Sequence, residues 1–234
     1  MCILFIYNGA NDIESDFSLI LISNRDEFYD RPAQCMAPWS EEPCVYGGRD
    51  LEAGCEKGTW LAVSSKYKKI GLLLNLPGVK KENAKSRNSL PEVNTYTNAT
   101  NEISTWSDTY LGFGNSLPDK PLKKVQNGKN LLKNICTKLN KINTKPELLN
   151  ELISLLKNQE SNLPDPQLEE RQPNMYKALS SIFVNIPKAR YGTRAHTIVL
   201  VTKSGEVDLI ELSLKSPINI EKPEWERNEF QFII

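Results

Sequence analysis

The order of strand-like and helix-like segments predicts an α+β domain built on antiparallel sheet. Three observations carry this: short β-rich runs fill the first 75 residues, helical spacing is confined to about 122–157, and strand-like runs return after 180. Strands, then helices, then strands point to stacked layers rather than to an alternating βαβ sheet. With 234 residues and 39% of them hydrophobic, the chain can bury a real core as one domain, 1–234.

Taken in order, "CILFIY" and "SLILIS" are β-rich runs joined by the polar "NGANDIESDF", the pattern of two antiparallel strands and their connection. "GTWLAVS" and "KKIGLLLN" repeat the pattern across "SKY". From Lys80 to about Asp108 the chain turns polar, with neither helical nor strand period, which is long for a connection inside a domain. Leu122, Val125, Leu132, Ile135, Leu139 and Ile142 then recur at helical spacing, and "ELLNELISLLK" gives a second amphipathic helix after Pro146. "SSIFVNI", "HTIVLV", "EVDLIEL" and "EFQFII" read as closing strands, the middle pair turned by Ser204-Gly205.

The 29 basic and 29 acidic residues cancel, with no block of one sign, which argues against nucleic acid as a partner. No apolar run approaches the roughly 20 residues of a membrane span, and "CILFIY" lacks the basic flank of a signal peptide. Five cysteines without CxxC spacing and a single histidine offer little to a zinc site and fit a reduced, cytosol-like compartment.

Cys2 stands out by position. A small residue after Met1 permits removal of that Met, which would leave an α-amine beside its own thiol. The amine, with a pKa of about 8, could act as base for a thiol of pKa about 8.5. The plainer reading is a compact hydrophobe in a strand. In "ISNRDEF" the residues Asn24, Arg25, Asp26 and Glu27 end an apolar strand, either as a site or as a solvated turn with a surface ion pair. Asn75, Asn115 and Arg194, in "LLLNLPG", "GFGNSLP" and "YGTRAHT", offer amide donors and a guanidinium fork able to hold an oxyanion or carboxylate. Each of these stretches is also ordinary turn chemistry.

In order along the chain, "MCILF", "LILISNRDEFYDRPA", "YGGRDLEAG", "GTWLAVS", "GLLLNLPG", "YLGFGNSLP", "LPDP" and "YGTRAHTIVLV" resemble the transport and Golgi organisation 2 family, also called the NRDE family. That family is similar to the N-terminal nucleophile (Ntn) hydrolases, which implies a four-layer αββα sandwich of two antiparallel sheets. The resemblance implies Cys2 as nucleophile and Glu27 at the acidic position. Asn24 falls where the cysteine hydrolases carry Arg, with Arg25 one residue away. Asn75 and Asn115 take the amide positions, and Arg194 the late arginine. A family segment with one helix and one core strand is missing between Arg87 and Asn88. The implied role is cytoplasmic, with Golgi or mitochondrial association, in secretion, Golgi organisation and trafficking of haem or lipid (acyl-CoA) through a pocket at Cys2. No cofactor is implied for catalysis, and haem enters as a transported ligand, with His196, Cys2 or Met1 as candidate ligands. The alternative is a hydrolase cleaving an amide or thioester of a small acyl compound.

Overall fold

The computed structural model describes residues 2–75, 93–97 and 102–234. In chain order these form β1 (Ile3–Asn8), β2 (Phe17–Phe28), β3 (Ala33–Pro38), β4 (Val45–Asp50), β5 (Leu61–Ser64), β6 (Lys69–Leu72), β7 (Val93–Thr97), β8 (Glu102–Trp106) and β9 (Tyr110–Gly114). The helices follow, α1 (Lys123–Lys138), α2 (Lys145–Leu156), α3 (Pro166–Arg171) and α4 (Tyr176–Leu179). Four strands close the chain, β10 (Asn185–Ile186), β11 (Tyr191–Thr202), β12 (Glu206–Leu214) and β13 (Trp225–Ile233).

The main sheet runs β13-β12-β11-β2-β1-β9, with β10 paired to β11, and all its pairings are antiparallel. A second antiparallel sheet runs β3-β4-β5-β6, and β7 pairs with β8. Side chains on a strand alternate between faces, and β1 shows what that achieves. Ile3, Phe5 and Tyr7 enter one core with Val125, Leu132, Leu148 and Leu152 of the helices. Leu4 and Ile6 enter a second core with Met36, Leu61 and Val63 of the smaller sheet. The described residues therefore stack as helices, main sheet and small sheet. Fully burying a Leu, Ile or Phe contributes roughly 1.5–3 kcal/mol, so these two cores dominate the stability.

Each helix buries one stripe. In α2 the stripe is Leu148, Leu152, Leu155 and Leu156, and in α1 it is Lys124, Val125, Gly128, Leu132 and Cys136. Gly128 is where α1 lies hardest on the sheet: a Cβ there would stand 2.1 Å from the Phe5 ring. Asp165 fastens two helix starts, accepting from Leu168 N at 3.1 Å as the cap of α3 and from Lys123 N at 2.8 Å in α1.

The α+β class with leading antiparallel strands is what the structure shows. Three layers are present among the described residues, and a fourth, helical layer is not among them. The expected break between Arg87 and Asn88 lies outside the described residues. Two local readings need correction. "SSIFVNI" is a strand only at Asn185–Ile186, because Ser180 and Ser181 turn back on the carbonyls of Lys177 and Ala178 and extend the end of α4. The polar stretch after Lys80 contains the β7–β8 hairpin, held by alternate half-buried residues such as Val93 and Trp106, which pack on the inter-sheet core.

Candidate functional site at the Cys2 end of the sheet

Asn-Arg-Asp-Glu closes the apolar strand, as expected, one residue before its last, Phe28, but it is no solvated turn: Asn24, Arg25 and Asp26 are buried. It lies inside β2, which is paired on both sides, with β1 through Asn24 and with β11 throughout. Alternation then splits the tetrapeptide. Asn24 and Asp26 share parity with Ile20 and Ile22 and face the helices, while Arg25 shares parity with Leu21 and faces the small sheet. The four cannot converge on one point.

Asn24 is a structural tie. Its amide donates to Leu156 O at 2.8 Å and Ile182 O at 3.0 Å, and its oxygen meets His196 Nδ1 at 2.6 Å. His196 is enclosed by Asn24, by Trp225 stacked at 4.8 Å and by Phe183 at 5.8 Å. Burial pushes its pKa down to about 3, so it is neutral.

Arg25 and Asp26 are the members near Cys2. Cys2 Sγ lies 3.9 Å from Asp26 O. Ile3 pairs with Asn24 on one side and Gly114 on the other, so one residue further the register sets Cys2 between Arg25 and Asn115. Burial pushes the Cys2 thiol up; the chain's α-amino charge and, more weakly, Arg25 oppose this, while Asp26 adds to it. Asp26 accepts from Thr193 Oγ1 at 2.7 Å, and its carboxyl is pushed up by burial against the pull of nearby positive charges, Lys124 among them. Lys124, buried in the apolar stripe of α1, donates to Ser181 O at 3.0 Å, and burial lowers its pKa.

Arg194 owes its place to a bulge. The β2–β11 register shifts between Thr193, opposite Asp26, and Ala195, opposite Arg25. The extra residue is Arg194, the kind of irregularity that re-aims a side chain. Its Nη1 donates to Phe28 O at 2.8 Å and to Arg31 O, clamping the turn after β2. Burial, then Arg25, pull its pKa down to about 10.

The remaining expected residues are more distant or more exposed. Glu27 is half-buried, accepts from its neighbour Phe28 N at 2.8 Å and faces Arg31 at 3.8 Å. Asn75 is exposed and its backbone oxygen accepts from Asn115 Nδ2. Asn115 is buried, and its Oδ1 has no partner among the described residues. The structure thus sets Cys2 against the backbone of Asp26 and in line with Arg25 and Asn115, with the Arg25 and Asp26 side chains on opposite faces of the sheet and Arg194 on the flank, and directs Asn24 and Glu27 elsewhere. Sequence reasoning missed Lys124, Thr193 and Glu211. Only Glu211 left a signal, since it continues the Val207, Leu209 face of "EVDLIEL" toward the inter-sheet core.

A model of the family described as "Transport and Golgi organisation 2" matches residues 1–92 and 87–216. The two segments meet inside the stretch where a missing piece was expected. Transport and Golgi organization protein 2 of Drosophila melanogaster is 32% identical over 259 residues, covering 90% of this chain and 91% of the relative. The Mus musculus homolog is 27% identical over 279 residues, covering 100% and 99%, and the Homo sapiens homolog 27% over 281 residues, also 100% and 99%. Both mammalian alignments run over more positions than the 234 residues of this chain. On these matches, which span nearly the whole sequence, the chain belongs to the transport and Golgi organisation 2 family.

Proposed function

We propose that the protein acts in secretory and Golgi organisation by holding and handing on a small hydrophobic or acyl ligand, haem or an acyl-CoA, at the Cys2 end of the main sheet. The observation that supports this reading is the set of buried polar and ionisable groups around Cys2 at this end of the sheet, Arg25 on one face and Asp26 with Thr193 and Lys124 on the other. Burying ionisable groups is costly unless a site repays it. A cytoplasmic place of action, with Golgi or mitochondrial association, belongs to the same proposal; no helix among the described residues is long and apolar enough to cross a membrane. As a haem ligand, His196 fits poorly, since Asn24 holds one ring nitrogen and the aromatic rings enclose the other. Cys2 fits better. Titration with haemin, following the Soret band, and with palmitoyl-CoA, following heat, tests the reading. Binding that Cys2→Ala weakens at least tenfold and His196→Ala leaves intact supports it; no saturable binding of either ligand ends it.

The second reading is hydrolysis by an N-terminal cysteine, favoured by Asn115 lying one residue beyond the Ile3–Gly114 pair, on the strand next to Cys2. The thiol would pass its proton to a freed α-amine and the thiolate would add to an acyl carbonyl. The amine proton would then leave with the amine or thiol product, and water would resolve the thioester. Burial of the thiol disfavours its anion, so this chemistry needs that free amine. Intact-mass measurement decides the prerequisite: a chain that keeps Met1, or carries an acetylated Cys2, has no such base.

A further inference from the structure

Between the two sheets, where β3 meets β11 and β12, lies a cavity of about 20 Å³ lined by Arg25, Cys35, Trp60, Arg194, Glu211 and Ser213. Such a volume suits about one or two water-sized bodies. Gln34 and Ser216, which also line it, are exposed, so it communicates with solvent. Three buried atoms of these lining residues have no hydrogen-bond partner among the described residues: Trp60 Nε1, Arg194 Nε and Glu211 Oε2. Arg194 is 5% and Glu211 0% exposed. One unpaired buried polar atom is costly and uncommon; three on residues lining one void indicate an occupant.

The chemistry of the walls says which. Trp60 Nε1 and Arg194 Nε can only donate, and the Arg25 guanidinium sits over the Trp60 ring, 3.9 Å from its centroid. Among the residues lining the cavity two guanidinium groups accompany one carboxyl group, Glu211, whose other oxygen is occupied by Met36 N–H at 2.7 Å. We propose that this cavity binds a small monoanion, a halide or the carboxylate end of an organic acid, held by Arg194 Nε–H, the Trp60 indole N–H and the Arg25 charge, beside the unpartnered Oε2 of Glu211.

A bound anion disfavours a charged Glu211, so the two are linked. The groups facing Glu211 set the pH of that linkage. Burial raises its carboxyl to about 7, while Met36 N–H from β3, Arg25 from β2 and the Thr197 hydroxyl from β11 favour its charge and Glu226 from β13 opposes it. Cys35, bonded to Glu226 and Ser213, stays a neutral thiol with its pKa pushed up to about 11. Arg25 answers in turn to Glu27, Cys2, Asp50 and Arg31, and Arg194 to Arg25, Glu27, Cys35 and Asp30. Each anion bound above pH 7 therefore takes up a proton. The site shares Arg25 with the Cys2 cluster but does not rest on any reading of Cys2.

The test is a proton–nitrogen NMR titration of the full chain, following the Trp60 indole N–H, identified by its loss in Trp60→Phe. Sodium bromide and sodium acetate are titrated separately at pH 6 and pH 8, with ionic strength held constant by sodium sulfate. The expected result is a saturable shift with at least one anion, about tenfold tighter at pH 6 than at pH 8; which arm saturates tells halide from carboxylate. Glu211→Gln, a permanent amide donor, should bind equally at both pH values. A shift that never saturates with either anion at pH 6 overturns the site. Equal affinity at pH 6 and pH 8 in the unaltered chain overturns the role of Glu211.

Discussion

Asn24 donates to the carbonyls of Leu156 and Ile182 and accepts from His196, which fixes the His196 proton on Nδ1. Removing the amide leaves buried groups of α2, residue 182 and β11 without partners, each at a cost of about 1–3 kcal/mol. Asn24→Ala should therefore lower unfolding stability by roughly 3 kcal/mol or more in a urea melt, while Cys2 keeps its alkylation rate at low denaturant. A matching loss of Cys2 reactivity would place Asn24 in the site after all. His196 adds a pH term. Its folded pKa is about 3 against an ordinary 6.5, so the unfolded chain binds the extra proton between those values and stability falls as pH drops through that window. The stabilisation is fully present above 6.5, and on the order of 4 kcal/mol is at stake by pH 3. Urea midpoints measured from pH 7 to pH 4 should decline, and a flat profile would contradict the buried, neutral imidazole. For Cys2 the raised pKa means that iodoacetamide labelling, read by peptide mass, should reach half its limiting rate above the ordinary 9.0 as long as Met1 is in place. The adjacency of Cys2 to Arg25 and Asp26 follows from the β1–β2 register, which the residues themselves do not announce.

At the scale of elements, the apolar stripes of α1 and α2 were legible in the sequence because helical period needs only local spacing. What was not legible is how closely α1 approaches the sheet. Gly128→Ala would improve intrinsic helix propensity by about 1 kcal/mol, yet its methyl would collide with the buried Phe5 ring. The net result should be destabilisation by about 1–3 kcal/mol, and a thermal melt showing stabilisation would mean the helix can lift off without cost. Asp165 makes the complementary case. It caps α3 and also receives the first N–H of α1 from 42 residues away. Asp165→Ala should cost about 2 kcal/mol, more than Asp165→Asn, which keeps an oxygen acceptor. Lys124, inside an apolar stripe, had no sequence signal because its partner Ser181 comes from a turn that the sequence reads as a strand.

Over the whole molecule, Glu211 joins the two sheets, its carboxyl on β12 receiving Met36 N–H from β3. Its folded pKa of about 7 exceeds the ordinary 4.5, so the folded state binds the extra proton and this contribution to stability is lost as pH rises through 7. Glu211→Gln should abolish a decline of about 2.5 kcal/mol between pH 5 and pH 8, measured by urea midpoints at the two values. The α+β class, the leading antiparallel pair, the two long helices and the family were all readable from the chain, because each rests on local period or on a colinear series of motifs. Alternation along "SNRDEF" already carried the division of its polar residues between two faces. Only the tertiary structure decided which of them meet. Strand register sets Cys2 beside Arg25 and Asn115, a bulge swings Arg194 to the inter-sheet face, and sheet packing leaves Trp60 Nε1, Arg194 Nε and Glu211 Oε2 without partners among the described residues, on side chains that line one cavity. Such meetings join residues far apart in the chain. Their free energy comes from burial and pairing across the fold, and no window of sequence contains it.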